Sequence, residues 1–197
     1  MTHYFETPTN PGRAERSVEM TLWGHDVTLT TARGVFSADG LDLGTAVLLR
    51  TLPPPTTTSR LLDLGCGIGP ITLALALACP RAEVTAVDVN DLALDLTQRN
   101  AAAAGVGDRV RASRPDDVDP DLRFDEIWSN PPIRIGKGAL HQLLRTWLPR
   151  LTPGGIARLV VARNLGADSL ASWLVSEGWQ VVREGSAKGF RVLSVSA

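Results

Sequence analysis

The sequence predicts an α/β fold, a mostly parallel sheet with helices on both faces, closed by an antiparallel edge and preceded by a β-hairpin. Three observations carry this reading. From Arg60 onward, short apolar runs alternate with stretches of helical period across glycine-rich turns, and strand–helix alternation builds parallel sheets. The last two apolar runs, residues 180–183 and 190–196, have no helix between them and read as a hairpin across Gly185 and Gly189. Near the start, Val18-Glu19-Met20-Thr21-Leu22-Trp23 alternates apolar and polar, turns at Gly24-His25 and resumes at Val27-Thr28-Leu29-Thr30. That alternation with a glycine turn is the pattern of two paired strands.

The elements follow in order. Residues 1–16 are polar and proline-rich, a loose lead-in. With the hairpin they make a first unit over residues 1–33, and residues 34–197 form the main domain. A short helix is expected over 43–52, stopped by Pro53-Pro54-Pro55 and a threonine run that acts as a stiff connector. Residues 60–64 are the first strand of the sheet. The next helix opens at Pro70, whose missing N–H would have no partner in a first turn anyway. Residues 83–87 are the second strand. Asn90 caps a helix running to Ala104, which Gly105 closes. Residues 110–113 and 124–128 supply two more strands. Leu140, Leu143, Leu144, Trp147 and Leu148 share one helical face, ended by Pro153-Gly154-Gly155. Residues 156–162 form another strand and 167–177 another helix.

With 197 residues and 44% hydrophobic content, the chain supports one substantial core. Its 20 Lys and Arg against 21 Asp and Glu give a net charge of −1, so general attraction to polyanions is not expected. Cys66 and Cys79 have no paired His or Cys at metal spacing and read as small buried thiols. His3, His25 and His141 are scattered, with no metal-ligand spacing, and read as surface or hairpin residues; no metal is expected. No signal peptide is visible, and no run approaches the roughly 18 apolar residues of a spanning helix. A cytoplasmic, membrane-free monomer is the expectation.

The first chemical motif is Asp63-Leu64-Gly65-Cys66-Gly67-Ile68-Gly69, between a strand and a helix. Glycines there let the backbone approach a ligand closely. Asp88 ends the next strand, 19 residues after Gly69, near the spacing that places an acid on ribose hydroxyls. A dinucleotide turn reads G-x-G-x-x-G and receives pyrophosphate. This one reads G-x-G-x-G behind Asp63, an acid that repels pyrophosphate and suits the ammonium end of S-adenosylmethionine.

The pattern resembles the nucleotide turn of class I S-adenosylmethionine-dependent methyltransferases. The resemblance implies a Rossmann-like sheet of seven strands in order 3-2-1-4-5-7-6, strand seven antiparallel. It places Asp63 near the methionine moiety, Gly65, Cys66 and Gly67 under the cofactor, and Asp88 with Val89 at the ribose. Asp116 or Asp117 falls near the adenine amino group, and the adjacent pair leaves that choice open. Asp42 and Thr45 would touch the cofactor if their helix lies beneath its methionine end.

The second motif, Ser129-Asn130-Pro131-Pro132, directly follows the strand over residues 124–128, where sheet-end loops collect active sites. An amino nitrogen conjugated to a ring or carbonyl is a poor nucleophile, because its lone pair is drawn into the π system. Two acceptors, the Asn130 side-chain oxygen and the Pro131 carbonyl, would hold its two hydrogens and turn the lone pair toward a methyl group. The prolines fix where that carbonyl points. The motif resembles the (N/D/S)-P-P-aromatic loop of amino methyltransferases, so Asn130, Pro131 and Pro132 are the catalytic candidates and Asn130 also borders the cofactor. Ile133 stands where an aromatic usually stacks on the target base.

Asn130-Pro131-Pro132-Ile133-Arg134-Ile135-Gly136-Lys137, Gly34-Val35-Phe36-Ser37, Leu41-Asp42-Leu43-Gly44-Thr45 and the terminal Lys188-Gly189-Phe190-Arg191-Val192-Leu193 resemble the "methyltransferase small" group. That group includes bacterial ribosomal RNA guanine-N2 methyltransferases, and members acting on ribosomal RNA often carry a further amino-terminal domain. The likeness runs from Arg33 to the end. It implies S-adenosylmethionine as cofactor, RNA or a ribosomal subunit as partner, and guanine N2 as acceptor, with Ile133 meeting the substrate. Arg134 and Lys137, cations beside the target loop, read as contacts to RNA phosphates or as a solvated cationic edge. Adenine N6 or a protein glutamine amide would suit the same geometry. A binding module that keeps the fold without turnover is the reading from another class, and intact Asp63, Asp88 and Asn130 speak against it.

Overall fold

The computed structural model describes residues 15–35, 40–56, 60–131 and 136–197. The chain begins with an antiparallel pair, β1 (Glu15–Leu22) and β2 (His25–Ala32). Their turn falls at Trp23-Gly24, one residue earlier than the sequence suggests, with φ of 45° and 85°. Two successive positive-φ residues give the twist that a two-residue hairpin turn needs. The pair forms its own sheet, outside the main one.

Helix α1 (Leu43–Thr51) is anchored at both ends. Asp42 caps it, its Oδ1 accepting from the backbone N–H of Gly44 (2.8 Å) and Thr45 (3.2 Å). At the far end, Trp23 Nε1 of the hairpin donates to the carbonyls of Leu49 (2.6 Å) and Leu52 (3.1 Å), groups the helix itself leaves unpaired.

The main body then runs β3 (Arg60–Leu64), α2 (Pro70–Ala78), β4 (Glu83–Val87), α3 (Asp91–Ala103), β5 (Val110–Ser113), β6 (Phe124–Ser129), α4 (Lys137–Trp147), β7 (Leu151–Ala162), α5 (Ala167–Ser176), β8 (Gln180–Ala187) and β9 (Phe190–Ser196). The seven strands lie in the order β5-β4-β3-β6-β7-β9-β8. The first five are parallel, and β9 runs antiparallel to both neighbours. Counted from Arg60, this is the expected 3-2-1-4-5-7-6.

Alternation along each strand sends side chains to two cores. Leu61, Val84, Trp128, Val160 and Val192 face the hairpin, α1 and α2. Leu62, Val87, Ile127, Leu159 and Leu193 face α4 and α5. The chain progresses one way from β3 to β4 and the other way to β6, so the crevice at the carboxyl ends of β3, β4 and β6 is a topological switch point.

Two further boundaries differ from the sequence reading. Pro153-Gly154-Gly155 lies inside β7 and does not stop a helix: α4 ends at Trp147, and the strand passes through a register shift opposite Phe124 and Glu126. A Cβ on Gly155 would stand 3.0 Å from the carbonyl oxygen of Asp125, so that close pass accepts only glycine. The last hairpin turns at Lys188-Gly189 alone, with φ of 49° and 83°. Gly185 sits instead in a bulge of β8 where a Cβ would come 2.7 Å from Thr51 Cγ2 of α1.

Candidate active site

Three chain segments meet at the switch point. The first is the glycine turn after β3. Gly65, Gly67 and Gly69 have φ of 83°, 58° and 90°, a region that other L-residues enter only with strain. The turn is laid over the end of β4, because the N–H groups of Gly65 (2.8 Å) and Cys66 (3.0 Å) both donate to the Val87 carbonyl. Cys66 contributes backbone only. Its thiol is buried, accepts from Thr97 Oγ1 (3.6 Å), and is pushed well above the ordinary thiol range by burial and then by Asp63.

Asp63 lies beneath the turn and not on its surface. It is fully buried, and its Oδ2 accepts from the N–H (2.9 Å) and the hydroxyl (2.6 Å) of Thr72 in the first turn of α2. Its Oδ1 has no hydrogen-bond partner. Burial raises its pKa to about 7, against the lowering pull of the Thr72 bonds and with a further push from Asp88.

The second segment follows β4. Asp88 Oδ2 accepts from Gly67 N–H (3.0 Å) and Oδ1 from Asn90 N–H (2.9 Å), so the carboxylate is fixed to the glycine turn with lone pairs to spare. Val89 beside it is 71% exposed, an apolar surface at the mouth of the crevice. Asp116 and Asp117 lie on a single helical turn after β5, both exposed. Arg114 ties that exit to the β4 loop, donating to the Val89 carbonyl (3.2 Å) and Asp91 Oδ1 (2.5 Å).

The third segment follows β6. Ser129 Oγ donates to the Leu64 carbonyl (2.6 Å), holding the end of β6 beside the glycine turn. Asn130 comes next, and its Nδ2 donates to Asp42 Oδ1 (2.7 Å) and Thr45 Oγ1 (3.1 Å). Asp42 and Thr45 thus serve Asn130, a contact sequence reading did not supply. Pro131 is buried, and Lys137 opens α4 on the exposed surface. Pro132, Ile133 and Arg134 lie outside the described residues, as do Phe36 and Ser37. Among the described residues no group of three His, Cys, Asp or Glu stands ready for a metal, and no helix is long and apolar enough to cross a membrane. His141 is not a plain surface residue: its ring stacks on Trp173 at 3.7 Å.

Sequence reasoning also passed over Asn100. Its Oδ1 accepts from Thr30 N–H (2.7 Å), and its Nδ2 donates to the carbonyls of Thr30 (3.0 Å) and Ile68 (2.9 Å). One buried amide therefore joins the hairpin to the glycine turn. The available signal was an asparagine in register with Leu96 and Thr97 on the buried face of α3. Asn90 adds a second link, donating from Nδ2 to the Gly34 carbonyl (3.0 Å).

These features suit S-adenosylmethionine. A backbone cradle, an acid with open lone pairs after β4 and an exposed apolar side chain match a nucleoside. The unpartnered Asp63 oxygen under the turn supplies negative potential for a cation above it.

Comparison with known proteins agrees with the fold and the motifs. A family model described as methyltransferase small domain matches residues 26–194. The uncharacterised Bacillus subtilis (strain 168) protein YbxB is 31% identical over 170 residues, 85% of this chain and 84% of that protein. A ribosomal RNA small subunit methyltransferase C from Citrobacter koseri is 40% identical over 148 residues, covering 70% of this chain and 42% of the relative. The T. thermophilus 16S rRNA N2 methyltransferase RsmC, solved with AdoMet and guanosine, superposes with a TM-score of 0.76 at 27% identity, covering 97% of this chain and 52% of that one. The chain spans about half the length of these ribosomal RNA methyltransferases. By sequence, by sheet order and by its two motifs, the chain belongs to the methyltransferase small domain family.

Proposed function

We propose that the protein transfers the methyl group of S-adenosylmethionine to an exocyclic amino nitrogen of RNA in the cytoplasm, and that the acceptor is guanine N2 of small-subunit ribosomal RNA. The observation that carries the reading is the Asn130 amide at the switch point, its NH2 bound to Asp42 and Thr45 and its oxygen accepting from none of the described residues. The ribosomal RNA relatives, and the guanosine bound in the T. thermophilus neighbour, support the choice of base.

The cofactor supplies an electrophilic methyl on a sulfonium. Asp88 accepts hydrogen bonds from its ribose hydroxyls, with Val89 beside the sugar and base and Asp116 or Asp117 toward the adenine amino group. The backbone from Gly65 to Gly67 lies beneath, over the buried Asp63. Asn130 Oδ1 and the Pro131 carbonyl accept the two N–H groups of the target amine, which takes its lone pair out of the ring plane. Pro132 stiffens that loop, while Ile133 borders the base and Arg134 and Lys137 meet phosphates. The amine sheds its proton to water after transfer, so no general base is required.

Tritiated S-adenosylmethionine offered with 16S rRNA, assembled small subunits, tRNA and total protein identifies the acceptor. Label in guanine N2 of 16S rRNA is expected; label in adenine or in protein would redirect the assignment to those acceptors, and no label in any pool would favour the binding-module reading. Asn130→Ala should slow single-turnover transfer by roughly 10²–10³, the usual loss for one preorganised polar group. Cofactor affinity should stay within a few-fold, because the contact strengthens only as the nitrogen becomes positively polarised.

A further inference from the structure

The side-chain amide of an asparagine can sit either way round. One face presents two donors and the other an acceptor, and a half-turn exchanges them. At Asn130 the surroundings decide. Asp42 Oδ1, 2.7 Å from Nδ2, can only accept, and it is itself held by the N–H groups of Gly44 and Thr45. A flipped amide would set its carbonyl oxygen against that carboxylate. Thr45 Oγ1 accepts from the same Nδ2 at 3.1 Å, and Thr45 is itself buried beneath the half-buried Asp42–Asn130 contact.

The frame around the pair leaves no slack. Asp42 is the N-cap of α1, where the helix dipole favours a negative charge. The other end of α1 is fixed by Trp23 and by the close pass of Gly185 on Thr51. Between Asp42 and Asn130 lies Gly44. A Cβ built there would meet Phe190 Cε1 at 2.9 Å, Asp42 Oδ1 at 3.0 Å and Asn130 Nδ2 at 3.2 Å.

We infer that Asp42, assisted by Thr45, is the positioning residue of the reaction: it fixes the orientation of the Asn130 amide so that Oδ1 always faces the incoming amine. The inference rests on the proposed amine-accepting role of Asn130. Asp42 does not touch the acceptor. It acts by excluding the amide orientation that would offer donors to donors.

A charge-swap cycle tests this. Asp42→Asn weakens the constraint, since a neutral amide oxygen held by the N–H groups of Gly44 and Thr45 repels a flipped carbonyl less than a carboxylate does. Asn130→Asp sets two carboxylates against each other. In the double variant only one carboxylate remains, so the repulsion is relieved, and the second oxygen of the carboxylate at 130 faces the amine. Single-turnover methylation of 16S rRNA should fall about tenfold or more in each single variant. The double variant should recover about tenfold over Asn130→Asp, the scale of coupling between residues in direct contact.

Two further readouts separate positioning from folding. Asp42→Ser keeps a helix-capping oxygen, so Tm and S-adenosylmethionine affinity by calorimetry should hold while kcat falls and KM for RNA does not rise. Nitrogen-15 NMR of the protein with S-adenosylmethionine bound, which needs no RNA, should show slowly exchanging Asn130 side-chain protons in the wild type. They should exchange freely in Asp42→Ser. Additive effects in the cycle, or unchanged Asn130 protons in Asp42→Ser, would overturn the inference. Should Asn130→Ala transfer at the wild-type rate, the amine-accepting role itself fails; a slow Asn130→Ala beside a wild-type Asp42→Ser fails the positioning alone. Gly44→Ala, which wedges the pair apart, should resemble Asp42→Ser in rate.

Discussion

Asp63 holds a carboxyl group where no water reaches, with one oxygen bonded to Thr72 and the other to nothing. Burial lifts its pKa from 3.8 to about 7. Between those values the folded chain keeps a proton that the unfolded chain has released. The stability Asp63 contributes is therefore greatest below its ordinary pKa and declines as pH rises to about 7, where it levels. A cationic cofactor over the turn favours the ionised form, so binding below that pH must release a proton. S-adenosylmethionine affinity should rise with pH up to about 7 and then flatten, by at most about tenfold per unit. Asp63→Asn should abolish the slope; calorimetry in buffers of different ionisation enthalpy reads the proton count, and an unchanged slope in the variant would place the titration elsewhere. Asp63, the glycines, Asp88 and Asn130 were legible in the sequence because each sits at a strand end in the right chain order. The Asp42–Asn130 contact was not, since it joins positions 88 residues apart and exists only once α1 has docked.

The hairpin shows what an element adds. Its strands were readable from alternation, but nothing in that pattern tells where the ribbon packs. Asn100 sets the place, through both backbone groups of Thr30 and through Ile68 of the glycine turn. Asn100→Ala would leave the buried Ile68 carbonyl unpaired, at about 1–3 kcal/mol, and would release the half-buried backbone groups of Thr30. Urea unfolding should show a lower midpoint, and S-adenosylmethionine should bind more weakly because Ile68 loses its tether. A loss of stability with full cofactor affinity would mean the hairpin supports the fold without shaping the turn. The misplaced boundaries have one cause. Gly155 and Gly185 are glycines because another segment passes close, and a sequence does not distinguish that need from a turn.

At the scale of the molecule, the sheet divides two kinds of packing. The face under α1, α2 and the hairpin backs the site loops, while α4 and α5 fill the opposite face. Strand–helix alternation announced a parallel sheet, and right-handed crossovers left few arrangements for it; the particular order came from the resemblance carried by the two motifs. The division makes a contrast testable. Leu144 is fully buried on the α4 face, and Leu144→Ala should cost about 2–5 kcal/mol of stability. Cofactor affinity at a temperature where the variant is folded should be unchanged. Weakened binding would show that the two faces are coupled through the sheet.

The stack of His141 on Trp173 lies on the second face and joins α4 to α5, with ring centroids 3.7 Å apart and planes within 4°. Burial, then Arg145 and Lys137, hold the imidazole below its ordinary 6.5, with Glu177 pulling the other way. The stacked ring is thus neutral at physiological pH, and its contribution to stability is lost as acid protonates it. An imidazolium lying flat on an indole drains the indole's excited state. Ultraviolet emission from Trp173 should therefore dim as pH drops below the ordinary histidine range and stay bright above it, and His141→Phe should remove the dependence. The protein carries its own lamp on the side away from the glycine turn, one that reports whether α4 and α5 remain in contact.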